Sequence, residues 1–594
     1  EVLRGRGDEA MKLLLLLAGS ALALLDGAPK RPNVVLIFAD DLGFGDPSFA
    51  GHPTNLSPNL DQLRARGKRV TAWYSGCPVC TGSRASLMTG RVYARVGVPG
   101  VFGAASQTGL PLREKTIADQ LRSVGYATAM LGKWHLGQRE VYLPARRGFD
   151  SYLGVPFSDD MGQARMTACA AAPNRLDADA ASGPPRLDAL LFAEPKLQAD
   201  WDDYVAAGFT QPARFEADAD ADRGGNFLPL VSQTRLANGT VQTVIVEQPL
   251  DLTHLGEKYA TFASETIRAL AAGTRPWFLY AALSHVHTTA DNIPEKQFSG
   301  CAFRGKSPRG AFGDALAEAD SVVGAIVSAV DGAGAARETL YIFSSDNGPW
   351  MVQGTSAGSV GHLYAAAAGY WNVGKGSTWE GGIREPALIV WEGVVEAGSS
   401  TNAAVSSTDV FVTLSKLVGA KIPDFLEYNG NRTPAIYDGV DQSESLFGSA
   451  QQSKRDGAGE CLFFFGGPKT NLTPSAARCG PYKLHYATGP GLGGCAGCEV
   501  KHFDPPLVFH VEADPSEQFA VSADLQVVEA VLKIAAASLA AYMAHFEPGV
   551  LDASNGGLAP DAPYEVVDGT ALYGVCCNRH QANTCQCSGA PYPP

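Results

Sequence analysis

Four apolar runs in this chain each end in a short polar cluster, and that pattern limits the fold more than any other feature. Val34–Ala39 runs into Asp40 and Asp41, and Ala127–Leu131 into Gly132, Lys133, Trp134 and His135. Trp277–Leu283 runs into Ser284, His285, Val286 and His287, and Leu340–Phe343 into Ser344, Ser345, Asp346 and Asn347. A fifth run, Ala387–Trp391, has the same texture. Short apolar stretches without alternation mark strands buried on both faces. Helical patterns lie between them. Ile117, Leu121 and Val124 share a face, with Thr116 placed to cap and Gly125 to stop. Ser57-Pro58 opens a helix that Gly67 closes, and Phe312, Leu316, Ala319, Val323, Ile326 and Val330 form a long stripe. Strands alternating with helices predict an α/β fold: a large mixed, mostly parallel sheet flanked by helices. In such sheets ligands bind beyond the carboxyl ends of the strands. The four clusters therefore aim acids, an amide, a lysine and histidines at one edge. Singly, a polar residue at a strand end is more often a loop or cap residue; their complementary chemistry is what points to a site.

A chain of 594 residues exceeds one ordinary core. Residues 1–28 read as a signal peptide with an upstream extension, 29–425 as the main domain and 426–594 as a smaller α+β domain with a cysteine-rich tail. Met11-Lys12, an apolar run from Leu13 to Leu25 and the small residues after it carry the signal reading. That run is short for a membrane span, so no transmembrane anchor is expected. Of the 12 cysteines, Cys461, Cys479, Cys495 and Cys498 share one stretch and Cys576, Cys577, Cys585 and Cys587 crowd the tail. In an exported chain these clusters read as disulfides; as zinc ligands they lack regular spacing. Asn238 is the best glycosylation acceptor. All of this predicts the secretory pathway, with a lysosomal or extracellular destination. The net charge of −14 gives no electrostatic basis for binding nucleic acid, and any anion site must be local. The segment from Ala164 to Gly225, rich in Ala, Asp and Pro, reads as a surface excursion. A homo-oligomer is left open.

Asp40, Asp41, Asp346 and Asn347 are hard oxygen donors. Three crowded carboxylates repel one another unless a cation joins them, and oxygen-only ligands favour calcium, then magnesium, over zinc. A second constellation is Cys77-Pro-Val-Cys80-Thr-Gly82-Ser-Arg84. If Cys80 opens a helix, Arg84 lies one turn on along the same face. The free N–H groups of a helix N-terminus suit a tetrahedral anion, and Lys133 and Lys375 can add charge. The same Cys77 and Cys80 make a CxxC pair, the spacing of a redox motif, but redox chemistry explains none of the acids, lysines or histidines. Cys77 is otherwise a disulfide partner or a buried thiol.

These residues lead to a resemblance. Pro32–Asp46, Cys80–Arg91, Gly132–Gly137, Gly154–Ser158, Ser345–Gly348 and Gly374–Pro386 are similar to the motifs of the type I sulfatases, most of all the arylsulfatase A and N-acetylgalactosamine-6-sulfatase branches. Asp438–Asp441, Gly480–Lys483, Asp514–Glu517 and the cysteine-rich tail extend the likeness. The resemblance implies the alkaline-phosphatase-like sulfatase fold and hydrolysis of sulfate esters of small molecules, lipids or glycans. It implies that a formylglycine-generating enzyme oxidises Cys80 to an aldehyde. One hydroxyl of the hydrated aldehyde attacks sulfur, and the other then expels sulfate. It implies calcium held by Asp40, Asp41, Asp346 and Asn347 with the Cys80 derivative beside them. Arg84 and Lys133 steady the hydrate and the anion, His135 assists sulfate release, His287 and Lys375 serve the departing alcohol, and Ser158 touches the sulfate. Two departures stand out. Gly82 replaces the family's proline. Without its fixed φ, the segment is expected to fit the modifying enzyme less well, and Gly82→Pro to raise the aldehyde fraction. The leaving-group histidine lacks its usual following proline, so His287 is chosen and His285 is the alternative. Other readings are a phosphatase or phosphodiesterase of the same superfold, and a non-catalytic glycoprotein that binds sulfated glycans.

Overall fold

The computed structural model describes residues 31–169 except 99, 105 and 107; 227–365; and 373–549 except 429, 467–472, 490, 492–499 and 523; at 566–567 and 570–571 it describes the backbone alone. The expected signal peptide, most of the Ala164–Gly225 excursion and the cysteines from Cys495 onward lie outside the described residues.

The principal elements of the larger part are β1 (Asn33–Ala39), α1 (Pro58–Arg66), β2 (Lys68–Tyr74), α2 (Cys80–Thr89), α3 (Ile117–Ser123), β3 (Ala127–Gly132), β4 (Ser151–Gly154), β5 (Leu230–Arg235), β6 (Val241–Glu247), α4 (Leu255–Ala271), β7 (Trp277–Ala282), α5 (Ala311–Gly332), β8 (Thr339–Ser345), β9 (Arg384–Val390), β10 (Ser400–Thr401), β11 (Val405–Ser406) and α6 (Asp409–Val418). The strands form one 11-stranded sheet in the order β10-β2-β9-β8-β1-β7-β3-β4-β5-β6, with β11 also on β2. The central strands β8, β1, β7 and β3 are mutually parallel. Strand β9 is antiparallel to both β8 and β2. The sheet is therefore mixed and mostly parallel at its centre, as the sequence predicts.

The unbroken apolar runs have a simple cause. Val34, Leu36 and Phe38 of β1 enter one core with α2, α3 and α6, while Val35, Ile37 and Ala39 enter the opposite core with α1, α4 and α5. Successive side chains of a strand face opposite ways, so a strand covered on both sides has no polar positions to spare. Helix α3 carries the expected Thr116 cap as a capping box with Asp119; it ends at Ser123, one residue before Val124, and Gly125 turns the chain away at φ 94°. The α5 stripe also buries acids, and each has a partner. Asp320 accepts the N–H groups of Asn59 and Leu60 at the start of α1, and Glu318 accepts the N–H of Gly300.

After the hairpin β12 (Phe425–Tyr428) and β13 (Asn431–Pro434), a second sheet is wholly antiparallel: β14 (Leu462–Phe464), β15 (Ala476–Cys479), β16 (Tyr482–Thr488) and β17 (Lys501–His510). A disulfide links Cys461 to Cys479 across β14 and β15, and another links Cys169 to Cys301. The small sheet is bolted to the large one by buried polar contacts. Lys483 Nζ lies 2.8 Å from Glu380 Oε1 and 3.2 Å from Glu517 Oε1, His485 Nε2 lies 2.7 Å from the same Glu517 oxygen, and Arg478 donates to Tyr74 Oη at 2.6 Å. Helix α7 (Gln526–Ala544) is long and apolar enough to cross a membrane by length and composition. Its Val528, Val531 and Ala535 are buried in the core beneath the small sheet, and Tyr542 Oη bonds Asp438 at 2.7 Å.

Candidate active site

The parallel strands β8, β1, β7 and β3 end at one edge, and their C-terminal residues assemble there. Ala39 pairs with Ser345, so Asp40 and Asp346 leave the sheet side by side. Gly132 closes β3 at φ 95°, where any Cβ would overlap the Ala282 carbonyl, and this tight turn delivers Lys133. Two non-glycine residues of the cluster, Asp41 (φ 57°) and His135 (φ 56°), are left-handed. Such backbone costs on the order of 1–3 kcal/mol and is held where a side chain must be aimed. Strand β2 also runs toward this edge, and the chain then enters α2, whose first residue is Cys80. All ten residues of α2 are buried.

The Cys80 thiol stands 3.0 Å from Lys375 Nζ, 3.7 Å from Asp40 Oδ1 and 4.0 Å from Asp41 Oδ1. Lys375 Nζ also donates to both Asp41 oxygens, at 2.6 and 2.8 Å, and to His287 Nε2 at 3.0 Å. Lys133 Nζ bridges Asp40 Oδ2 (2.6 Å) and Ser158 Oγ (2.9 Å). Arg84 places Nε and Nη2 on Asp346 Oδ2, at 3.1 and 2.9 Å, Nη1 on the Lys133 carbonyl, and Nη2 3.4 Å from Asp40 Oδ1. Asn347 donates to Asp41 Oδ1 at 2.7 Å, and the Asp41 N–H donates to Asp346 Oδ1 at 3.1 Å. Every candidate residue except His135 is thus tied into one network by direct contacts. His135 follows Lys133 by two residues, its carbonyl accepts from Thr81 Oγ1, and its Nε2 meets the Phe102 carbonyl at 2.8 Å. His287 is in the cluster; His285 is not, since its ring bonds Glu318 at 3.1 Å against α5.

Charge is balanced locally. Burial alone would raise the Asp40 carboxyl, but Lys133, His287, Arg84 and Lys375 together hold it well below the usual range. Burial, then the charge of Asp40, pushes Asp346 up to about 7 against the pull of Arg84. Burial pushes the Cys80 thiol well up despite the two lysines, so an unmodified cysteine here stays protonated and is a weak nucleophile. Burial and then Lys375 lower His287, and burial and then Lys133 lower His135 well below its ordinary value. The partners fix the tautomers of these neutral rings. His287 gives its Nδ1 proton to the Thr288 carbonyl at 2.6 Å, leaving Nε2 as an acceptor. His135 gives its Nε2 proton to Phe102, leaving a buried Nδ1 with no partner.

The donor set is built like a cation site. Asp40, Asp41, Cys80 and His287 bring ligand atoms within 4.8 Å of one another. Asp346 and Asn347 join through Asp41, and the buried Asn347 Oδ1 has no hydrogen-bond donor. A hard, oxygen-rich group with one orphaned amide oxygen fits a calcium-type ion. The Lys375 ammonium already sits between the two Asp41 oxygens, as a cation would.

Three neighbours escaped the sequence. Glu385 is buried with neither carboxylate oxygen bonded, and burial, then Asp346, pushes its carboxyl well up. It sits at the start of antiparallel β9, so it reaches the same edge from the opposite direction, where a rule about strand C-termini does not look. Asp159 is likewise buried and unbonded beside Ser158 and Lys133. Trp350 lies over Lys375.

Residues 32–420 match the family model described as sulfatase, and residues 457–587 match that of the C-terminal region of aryl-sulfatase. The chain belongs to the sulfatase family and is a sulfuric ester hydrolase acting on sulfated substrates. It is 36% identical over 519 residues to arylsulfatase A of Homo sapiens, covering 85% of either chain. It is 36% identical over 503 residues to arylsulfatase G of Canis lupus familiaris, covering 82% of this chain and 81% of that one. The fold is that of the PsFucS1 sulfatase from Pseudoalteromonas sp., with a TM-score of 0.66 at 24% identity over 88% of this chain and 93% of that one. The two disulfides match an oxidising, secretory compartment.

Proposed function

We propose that this sulfatase works as an arylsulfatase through a formylglycine made from Cys80, beside one calcium ion held by Asp40, Asp41, Asp346 and Asn347. The observation that carries the reading is the position of Cys80: first residue of a buried helix, 3.0 Å from Lys375 Nζ and 3.7 Å from Asp40 Oδ1. When bound, calcium supplies a Lewis acid for a sulfate oxygen. The hydrated aldehyde supplies a hydroxyl nucleophile and a second hydroxyl for release. The chain's own residues do the rest. Arg84 and Lys133 present fixed donors to the anion and pair with the carboxyl groups of Asp346 and Asp40. Ser158 orients Lys133. The bare Nδ1 of His135 takes the proton that must leave for sulfate to be expelled. Lys375 lends a proton toward the departing alkoxide, and His287 Nε2, which accepts from Lys375, orients that ammonium. A lysosomal or extracellular setting and conversion by the formylglycine-generating enzyme complete the proposal.

The test is a mass measurement on the tryptic peptide Val70–Arg84 beside turnover of 4-nitrophenyl sulfate and 4-nitrophenyl phosphate. The expected result is an aldehyde at position 80, sulfate preferred, and activity lost on chelation and restored by calcium. Full activity with Cys80 wholly unmodified refutes the mechanism.

A further inference from the structure

Lys375 Nζ is touched by Asp41, Cys80, His287 and Trp350, and of these Trp350 alone is not fully buried. The indole is held firmly. It ends the turn Asn347-Gly348-Pro349-Trp350, in which the Gly348 N–H donates to the Gly382 carbonyl and the Lys375 N–H donates to the Pro349 carbonyl at 2.9 Å. A Cβ at Gly348 would overlap the Gly381 carbonyl, so the turn lies directly against the backbone of Gly381. The ring face lies 5.1 Å from Lys375 Nζ, and its centroid is 5.9 Å from that of His287 at a 48° tilt. A partly exposed aromatic ring therefore stands beside the two residues assigned to the departing alcohol.

We propose that Trp350 is the platform for that alcohol and so a specificity-determining residue, selecting sulfate esters whose alcohol carries a ring. This rests on the roles given above to Lys375 and His287. The recognising chemistry is a ring face against the indole, which an aryl sulfate and a pyranose sulfate can both supply and an acyclic alkyl sulfate cannot. Contact with the retained ring is made equally in ground state and transition state, so its loss raises KM more than it lowers kcat.

The experiment compares wild type, Trp350→Phe and Trp350→Ala on 4-nitrophenyl sulfate, a pyranose 6-sulfate and ethyl sulfate, with rates normalised to the aldehyde fraction at position 80. Trp350→Ala is expected to lower kcat/KM about tenfold for ring substrates, mostly through KM, and by less than about twofold for ethyl sulfate. Trp350→Phe should restore most of the loss. Whichever ring substrate suffers more identifies the aryl or pyranose source. Equal loss on all three substrates, carried by kcat, would mean that Trp350 merely positions the Lys375 ammonium, and it overturns the proposal. Unchanged KM on every ring substrate in an active, aldehyde-bearing enzyme does the same while leaving the reading of the site intact. A wild type that turns over ring sulfates with Cys80 unmodified removes that reading, and the proposal with it. Thermal melts of the three proteins separate misfolding from lost contact.

Discussion

Position 82 is where the sequence expectation and the structure part most usefully. A Cβ on Gly82 would overlap the Cys77 thiol and come within 3.0 Å of Cys77 Cβ and 3.1 Å of Tyr93 Cγ. The Gly82 N–H donates to the Gly100 carbonyl at 3.1 Å. Cys77 is a free, buried thiol, so it occupies the volume that a side chain at 82 would need. Gly82→Ala should overpack this corner at about 1–3 kcal/mol. Gly82→Pro adds the loss of a buried hydrogen bond, about 1–3 kcal/mol more. The proline that would improve recognition by the modifying enzyme should therefore lower the yield of folded protein, and the expected gain in activity per milligram should not appear. The assay is a double-mutant cycle by urea unfolding with Cys77→Ala. Removing Sγ while keeping Cβ should relieve the overlap, so Gly82→Ala should cost under about 1 kcal/mol in that background, a coupling of roughly 1–2 kcal/mol. Equal cost in both backgrounds would refute the packing argument.

Other consequences can be checked directly. Arg84→Ala should lower kcat by roughly 10²–10³ as a fixed donor is lost. Because Arg84 is also the buried partner of Asp346 and Asp40, the variant should lose about 3–5 kcal/mol of stability; a melt matching wild type would contradict the structural half. Burial pushes Asp46 up to about 7 and Asp320 up to about 6. A raised carboxyl contributes stability that is fully present below its unfolded value and lost as pH rises through its folded value. Buried His135, His287 and His485, lowered by burial, act in the opposite sense over the same range, so the carboxyl share is read by difference: between pH 5 and pH 8 the wild type should lose melting temperature relative to the Asp46→Asn, Asp320→Asn variant, and parallel profiles would contradict this. Replacing the Cys461–Cys479 pair by serines opens an 18-residue separation and should cost about 3 kcal/mol in urea, with activity per folded molecule retained.

The centre of the fold was legible because burial on both faces leaves β1, β3, β7 and β8 no polar residues until they leave the sheet. Asp40, Lys133, His287 and Asp346 were found by that discontinuity alone. Cys80, Arg84 and Lys375 lie on no such boundary; a helix opening at Cys80 as an anion site with positive charge beside it brought them in, and the resemblance gave them roles. What stayed hidden depends on direction and volume. Glu385 precedes an antiparallel strand, so it enters the site from the wrong end for the same reasoning. His287 was chosen over His285 from the resemblance; the physical reason, that α5 presents Glu318 to His285, is visible only in the structure. The Cys77–Gly82 complementarity is a contact between residues five apart that no periodicity encodes.

The burial of Cys80 also has a consequence in time. A residue 2% exposed inside a wholly buried helix cannot be reached by another enzyme once the sheet has closed. Lys375, which touches its thiol, lies 295 residues further along the chain. Synthesis at about 5–20 residues per second puts about 15–60 s between the appearance of Cys80 and the appearance of the residue that seals it. Because β1 pairs with β7 and β8, the central strands cannot assemble before Ser345 has been made. The long-range strand order sets a minimum interval: the site around Cys80 cannot close before the ribosome has supplied its neighbours, and a permuted chain that brought β8 and Lys375 forward would shorten that interval.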